Sequence, residues 1–359
     1  MSSSPRKGEW FDDATFERVA EQLAGEQAPS LWADVRRRLA ARASARWSLR
    51  WLLALVLASL IVPLLPLPSP AAMALDKQPK PPVTPWVEPF NERFEPFYGE
   101  LNPLDRALVS VRQRAFGKKQ TGPWLGTDAK GRDTLARILW GSRTSLLVAL
   151  FAALTSLTIG VAWGAIAGLA RSRIDNAMMR TVDVLQSLPT IFLVIFLLSF
   201  LNAPSPSGAA RSVSRETVFF LVIGAVSWLP MARVVRGQVL SLRSAAFVEA
   251  ARTQGASTSW IVRAHIVPNV LPIVLVYLTL TLPSVILYEA FLSFLGLGVE
   301  APKVSWGVLA ADGAEAISPL ATFWWLPLGP ALAMGATLLA LGLLGDALRD
   351  ALDVKRGEA

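Results

Sequence analysis

Six stretches of this chain contain no Asp, Glu, Lys or Arg: Trp51–Leu75, Thr144–Ala170, Val184–Ala210, Thr217–Ala232, Ala264–Tyr288 and Ala316–Gly345. A helix needs about 20 apolar residues to cross the hydrocarbon core of a bilayer. Inside that core the backbone must satisfy its own N–H and C=O groups, which leaves the helix as the form such stretches take. Proline clusters trim the first stretch at Leu67 and the third at Asn202. The fourth is short before Arg233, which places its end at the interface. Composition agrees, since only 17% of residues are charged and 53% are apolar, against roughly 25% charged in a soluble domain. The expected fold class is an all-α integral membrane protein with six transmembrane helices.

Several chemistries are excluded. The chain has no cysteine and one histidine, His265, so a disulfide framework, a thiolate centre, a cysteine nucleophile and a multi-histidine metal site are all absent. The net charge of +8 does not point to nucleic acid, because the basic residues flank the apolar stretches, where membrane orientation requires them. No Gly-x-x-x-x-Gly-Lys-Ser/Thr run occurs, so there is no P-loop. No catalytic triad or supported carboxylate pair is evident, and the chain reads as a non-enzyme.

Arginines set the orientation. Arg36, Arg37, Arg38, Arg42, Arg46 and Arg50 precede the first span. Arg171, Arg173 and Arg180, then Arg233, Arg236, Arg243, Arg252 and Arg263, then Arg349, Lys355 and Arg356 fall on the same side of a six-span arrangement. Both termini are therefore expected in the cytoplasm. The twelve basic residues of 76–143 do not reverse this, because long loops translocate largely regardless of charge. The expected organisation is a cytoplasmic extension over 1–48, a first span over 49–68 and an extracytoplasmic loop over 69–142. A five-helix transmembrane domain over 143–345 and a cytoplasmic tail over 346–359 complete it. Asp12–Arg38 reads as one or two amphipathic helices, with Phe16, Val19, Leu23, Leu31, Trp32 and Val35 as apolar positions. The proline-rich run Lys77–Pro89 reads as extended linker.

The sharpest local pattern lies between the fourth and fifth spans, over 240–269. Phe247, Ala250, Ala251 and Gln254 share a face at helical spacing, Gly255 suits the left-handed position that ends a helix, and Ser257 suits the cap of the next. Pro268 and Pro272 mark re-entry into the membrane. The same helix–break–helix pattern fits either a docking element or a solvated connector on the membrane surface.

Glu249-Ala250-Ala251, three residues, Gly255, and Pro268 thirteen residues beyond it resemble the EAA loop of binding-protein-dependent ABC importer permeases. Arg263-Ala-His265-Ile-Val-Pro268-Asn269 is similar to the ending found in the peptide branch, with an additional Ala264 and Val267 for leucine. Trp124-Leu-Gly-Thr-Asp128-Ala-Lys-Gly-Arg132-Asp133 and the following residues to Leu147 resemble the entry to the second span in dipeptide/oligopeptide C-type subunits. So do Leu292-Ser-Phe-Leu-Gly296-Leu-Gly298, Ser305-Trp306-Gly307 and Asp312-Gly313. Gly345-Asp-Ala-Leu-Arg349-Asp350 is similar to the C-terminal signature, with Val354 where proline is usual. The resemblance covers about residues 124–359.

What the resemblance implies is a permease subunit of the bacterial inner membrane, half of a peptide pathway, coupled to ATP hydrolysed in trans. Its cytoplasmic coupling helix would meet the ATPase through Phe247, Glu249, Ala250, Ala251, Gly255 and Ala256. The implied partners are a second homologous permease in a heterodimer, two ATP-binding cassette subunits, an extracytoplasmic binding protein and the bilayer. ATP and Mg²⁺ would sit in the ATPases, with no cofactor in this chain. Importers of nickel or other small solutes share these motifs. A gradient-driven secondary transporter and a non-transporting membrane scaffold are the rival classes.

Single residues carry two readings each. Glu249 is a surface charge or an ATPase contact. Glu289, near the end of the fifth span, is a pathway or gate residue, or an interfacial carboxylate paired with a neighbour such as Lys303. Asp128 and Arg132, with Asp133, form a charged turn before a helix, or else a gate or binding-protein contact. His265 reads as hydrogen-bonded within its loop. Trp324 and Trp325 fit an aromatic belt. Gly160, Gly164 and Gly168 permit close helix packing.

Overall fold

The computed structural model describes residues 31–73, 81–82, 86–89, 97, 101–117, 119–189, 191–192, 195–196, 199–200, 215–299, 301–317 and 323–352. The expected amphipathic helix before residue 31, most of the third apolar stretch and the tail beyond residue 352 lie outside these.

The chain is mostly helical. Helix α1 (Leu31–Ala41) leads into α2 (Ala43–Ile61), α3 (Pro103–Phe116) and the long α4 (Thr134–Leu169). Then come α5 (Ser172–Ser187), α6 (Arg215–Ser227), α7 (Leu229–Leu242) and α8 (Ala246–Thr253). The last three are α9 (Thr258–Phe294), α10 (Trp306–Glu315) and α11 (Trp325–Leu352). Five segments among the described residues are long and apolar enough to cross a membrane: Ala43–Leu64, Thr134–Leu169, Thr217–Leu242, Thr258–Phe294 and Trp325–Leu352.

Two expectations need correction. The run Lys77–Pro89 is not wholly linker, because Trp86–Pro89 (β1) pairs antiparallel with Lys119–Gly122 (β2), with Trp86 opposite Gly122. The fold is therefore not purely α. The strand pair sits at one end of the bundle, where Thr121 N donates to Pro66 O at 2.7 Å just beyond α2. That end also receives α3, held to α4 by Arg143 and Asp105 at 2.8 Å.

Helix ends also differ, since α4 begins at Thr134 and not at 144, and the fourth span runs on past Arg233 to Leu242. Arg137 and Arg143 lie inside α4, and Arg233 and Arg236 inside α7. Each has a carboxylate partner. Arg236 makes two bonds to Asp175, at 2.6 and 2.7 Å, and Arg233 meets Asp183 at 2.6 Å. Both aspartates lie on α5. Neutralised cations extend a helix that a charge count would have ended.

Close helix packing follows the glycine spacing. A Cβ on Gly160 would come within 2.7 Å of Met231 Cβ, on Gly164 within 2.8 Å of Val235 Cβ, and on Gly168 within 2.8 Å of Val239 Cβ. Both rows repeat every four residues, so α4 and α7 run together at backbone contact. Besides a small cluster of α4, α5 and α7 around Ala167, Val182 and Ala232, two larger apolar clusters fill the bundle. One, toward the strand pair, joins α4, α6, α9 and α10 through Val148, Phe219, Ile286 and Trp306. The other, toward α8, joins α7 and α9 to α8 through Val235, Val239, Val248, Ile266 and Val270.

Candidate functional site

Helix α8 stands at one end of the bundle and is fixed from both sides. Val248 and Ala251, three residues apart, are buried in the cluster with α7 and α9. Phe247, Glu249 and Ala250 are exposed, as are Arg252 and Gly255, while Ala256 is half-buried. The face expected from spacing alone is thus divided, with Ala251 turned into the body and Ala250 outward. Val248, which the sequence did not single out, is the principal anchor.

The turn after α8 is closed by backbone hydrogen bonds. Gly255 has φ +83°, its N–H donates to Arg252 O at 2.9 Å, and Ala256 N–H donates to Ala251 O at 3.0 Å. This is a Schellman ending, in which glycine avoids the left-handed penalty of a Cβ. No described atom lies within 4 Å of where a Gly255 Cβ would stand, so backbone conformation is what requires the glycine. Ser257 then caps α9, with Trp260 N–H donating to Ser257 Oγ at 3.3 Å. His265 lies in the first turns of α9 and not in a loop, and its backbone carbonyl accepts from Asn269 Nδ2 at 2.7 Å. Its ring lies between Phe247 at 5.7 Å and Trp260 at 5.0 Å, measured between ring centroids. Around it the helix widens into a π-turn over Val262–Ile266, a feature frequent at functional sites. The result is a short, anchored helix that presents Phe247, Glu249, Ala250 and Arg252 to the outside.

The other residues selected from sequence lie at the opposite end and are enclosed. Glu289 is fully buried. It accepts from Ser145 Oγ at 2.8 Å and from Ser293 Oγ at 2.7 Å. Ser305 Oγ donates to Ser293 Oγ at 3.4 Å, and Trp306 N–H donates to Ser145 Oγ at 3.2 Å. The carboxylate thus ties α4, α9 and the start of α10 together. The interfacial reading with Lys303 is overturned, because three serines on three elements build a closed polar site that no sequence window contains.

Asp128 and Arg132 belong to a buried box. Asp128 Oδ2 accepts from Arg132 at 2.6 Å and from Arg137 at 2.7 Å, and Asp312 Oδ2 accepts from the same two arginines at 3.0 and 2.8 Å. Sequence reasoning missed Arg137 and Asp312 as members. The available signal was a charge placed one turn inside an apolar span, which demands a partner. Trp325, expected in an aromatic belt, is buried, and its Nε1 donates to Thr127 O beside the box at 3.2 Å; Trp324 is exposed. Asp133 caps α4 through Ala136 N–H at 2.7 Å. Its other oxygen is buried without a hydrogen-bond partner among the described residues, and burial raises the carboxyl pKa to about 6. Among the described residues no group of three His, Asp or Glu could hold a metal ion.

The profile of the family described as binding-protein-dependent transport system inner membrane component matches residues 160–357, which include α8 and its turn. The chain belongs to that family. It is therefore a multi-pass inner-membrane permease, and the five long apolar helices among its described residues fit membrane spans. The permease is 44% identical over 238 residues to the oligopeptide transport system permease protein OppC of Escherichia coli K12, covering 66% of this chain and 74% of that one. It is 44% identical over 232 residues to the dipeptide transport system permease protein DppC of Bacillus subtilis, covering 65% and 68%. Among solved structures, an inward-facing MetNI methionine ABC transporter aligns with a TM-score of 0.49 at 18% identity, covering 61% of this chain and 97% of that one.

Proposed function

We propose that this permease is the C-type subunit of an ATP-driven peptide importer and that α8 is its contact with a separate ATPase. The observation that carries the reading is a capped, doubly anchored helix at the end of a membrane bundle, within a chain related to oligopeptide and dipeptide permeases. A push on α8 is transmitted through Val248 to α7 and α9, because all three share one apolar cluster. Coupling requires that α8 bind the two ATPase states unequally, since a contact equal in both shifts nothing.

Six crossings with cytoplasmic termini are part of the proposal. Connectivity supports the sixth: α4 ends beside the C-terminus of α7, where Arg243 donates to Gly168 O at 3.3 Å, whereas α6 packs on the first half of α4. That placement supports a return crossing between α4 and α6. Arg42 and Asp350, 2.6 Å apart, join the start of α2 to the end of α11, which supports both termini leaving at the α8 end. The assembly would contain a second homologous permease, two ATPases holding ATP and Mg²⁺, and an extracytoplasmic binding protein. Asp128, Arg132 and Glu289 act in this reading as fastenings at the other end and not as pathway walls.

The test is co-purification of tagged chain from detergent, with Gly255→Asp and Glu249→Ala beside the parent. An ATPase and a second permease should accompany the parent. Gly255→Asp should lose the ATPase and substrate-stimulated hydrolysis while still inserting. ATP-dependent uptake at parental rate by Gly255→Asp would sink the coupling assignment.

A further inference from the structure

Helix α9 carries six hydroxyl side chains between Tyr277 and Ser293; the bundle takes up Thr279 and Ser293, and the ring of Tyr277 rests partly on the α7–α9 cluster. Thr279 packs against α11, where a Cβ on Gly345 would come within 2.5 Å of its Oγ1, and Ser293 is held by Glu289. The other four, Tyr277, Thr281, Ser284 and Tyr288, are separated by four, three and four residues and lie on one face. None is buried, and Ser284 is exposed. The buried residues Val285, Ile286 and Glu289 lie to one side of this strip, and the exposed Leu280 and Leu287 to the other.

A strip of this composition is ill suited to lipid. Thr281 and Ser284 donate to carbonyls of their own helix, Tyr277 O at 2.9 Å and Leu280 O at 3.2 Å, which leaves their oxygens as acceptors. A tyrosine hydroxyl cannot reach its own backbone in this way, and membrane tyrosines gather at the two interfaces. Tyr277 instead stands at the middle of the Thr258–Phe294 span. A phenol at that depth calls for a polar neighbour; Arg233 on α7 is near enough for its charge to act on the ring, which places the phenol at a polar and not a lipid-filled side of α9.

Resting on the importer reading above, we propose that the Tyr277–Thr281–Ser284–Tyr288 face is the wall along which the solute moves, and that it recognises the uncharged backbone of an extended peptide. Eleven residues of helix rise about 16 Å, the length of about five residues of extended chain. Hydroxyls both donate and accept, so they match alternating N–H and C=O groups at any register. The four side chains of the strip bear no charge, and Arg233, whose charge reaches Tyr277, is paired with Asp183, so the strip itself does not sort peptides by charge. Exchange of water for hydroxyl is nearly neutral in free energy, and the strip therefore guides a peptide without trapping it.

The cysteine-free chain permits a direct test. Single cysteines at Thr281 and Ser284, with Leu280 and Leu287 as controls, are placed in the full complex in proteoliposomes. A charged, membrane-impermeant methanethiosulfonate reagent should modify the first two more than tenfold faster than the controls, with a rate that changes on adding ATP and vanadate. Saturating tripeptide should protect them. The double variant Tyr277→Phe, Tyr288→Phe should slow uptake about fivefold, equivalent to one hydrogen bond of ~1 kcal/mol, and equally for Ala-Asp-Ala, Ala-Lys-Ala and Ala-Ser-Ala. The proposal is overturned if uptake is ATP-dependent but Thr281→Cys and Ser284→Cys resist the charged reagent. Reaction with a lipid-soluble maleimide would then mark a lipid face, and no reaction a face covered by the second permease. If the unmodified complex shows no ATP-dependent peptide uptake, the importer reading falls instead, and the thiol pattern still decides whether the face is wet.

Discussion

Ser156 Oγ donates to the carbonyl of Ser227 at 2.6 Å, and that bond joins two irregular points of the bundle. On one side is the π-turn Ser156–Gly160 inside α4. On the other is the interruption at Trp228 between α6 and α7, where Pro230 follows within the first turn of α7. Gly160 lets the two meet, since a Cβ there would come within 2.9 Å of Trp228 O. Beyond this level, the second half of α4, α5 and α7 form one block, held by the glycine row and the two Asp–Arg pairs. Helix α8 hangs from the end of that block, so a displacement of α8 is expected to turn the block about the Ser156–Ser227 level.

Ser156→Ala removes the donor and leaves the Ser227 carbonyl without that partner. The expected loss is about 1–2 kcal/mol, read as a lower thermal midpoint of the detergent-solubilised complex. Ser187→Ala provides the comparison, because Ser187 is exposed and bonds to Val184 O within its own helix. Equal midpoints for the two variants would remove the hinge bond from the account.

Two glycines of the α4–α7 pair should behave oppositely. Gly164→Leu drives a side chain into Val235, because the first added carbon alone would stand 2.8 Å from Val235 Cβ, and overpacking of this kind costs about 1–3 kcal/mol. Gly237 also lies in a helix, yet no described atom comes within 4 Å of where its Cβ would stand. Gly237→Ala should be neutral or stabilising by up to about 1 kcal/mol. Thermal midpoints of the two variants in one detergent check the pair.

The Asp128 box predicts an asymmetry. Asp128 is almost wholly enclosed, whereas the Asp312 side chain keeps 32% exposure. Asp128→Asn leaves two buried guanidiniums facing one partly solvated carboxylate, and breaking a buried pair in this way costs about 3–5 kcal/mol. Asp312→Asn leaves Asp128 in place and water within reach, so its effect should be smaller by about half or more. Yields of folded complex and thermal midpoints measure both, and a larger loss for Asp312→Asn would contradict the arrangement.

These pairs explain which parts of the fold are legible in the sequence. The apolar stretches are legible because the backbone constraint in lipid acts over a local window. The α8 turn is legible for the same reason, since Gly255 and Ser257 act on residues a few positions away. Helix ends are not. A window that stops at the first charge starts α4 at Thr144 and ends α7 at Ala232, because the partners of Arg137, Arg143, Arg233 and Arg236 lie on other elements. Glu289 is misread on the same ground, as Ser145 lies 144 positions away in the chain. The division of α8 into Val248 and Ala251 inside and Ala250 outside depends on where α7 and α9 stand, which spacing alone does not contain.

Asp133 gives the permease a pH dependence of definite sign. Its pKa is raised from 3.8 to about 6, chiefly by burial, against the lowering effect of the cap bond to Ala136 N–H. A carboxyl raised on folding binds its proton more readily in the folded state, so its stabilising contribution is complete below pH 3.8 and is lost as pH rises through about 6. The difference amounts to on the order of 2–3 kcal/mol across that window. Asp133→Asn keeps a good cap and cannot ionise. Between about pH 3.8 and 6 the parent should therefore lose stability relative to Asp133→Asn, with the steepest divergence near about pH 5. Thermal midpoints of both proteins at half-unit pH steps make the comparison, and parallel curves through that window would show that the Asp133 carboxyl does not carry the titration.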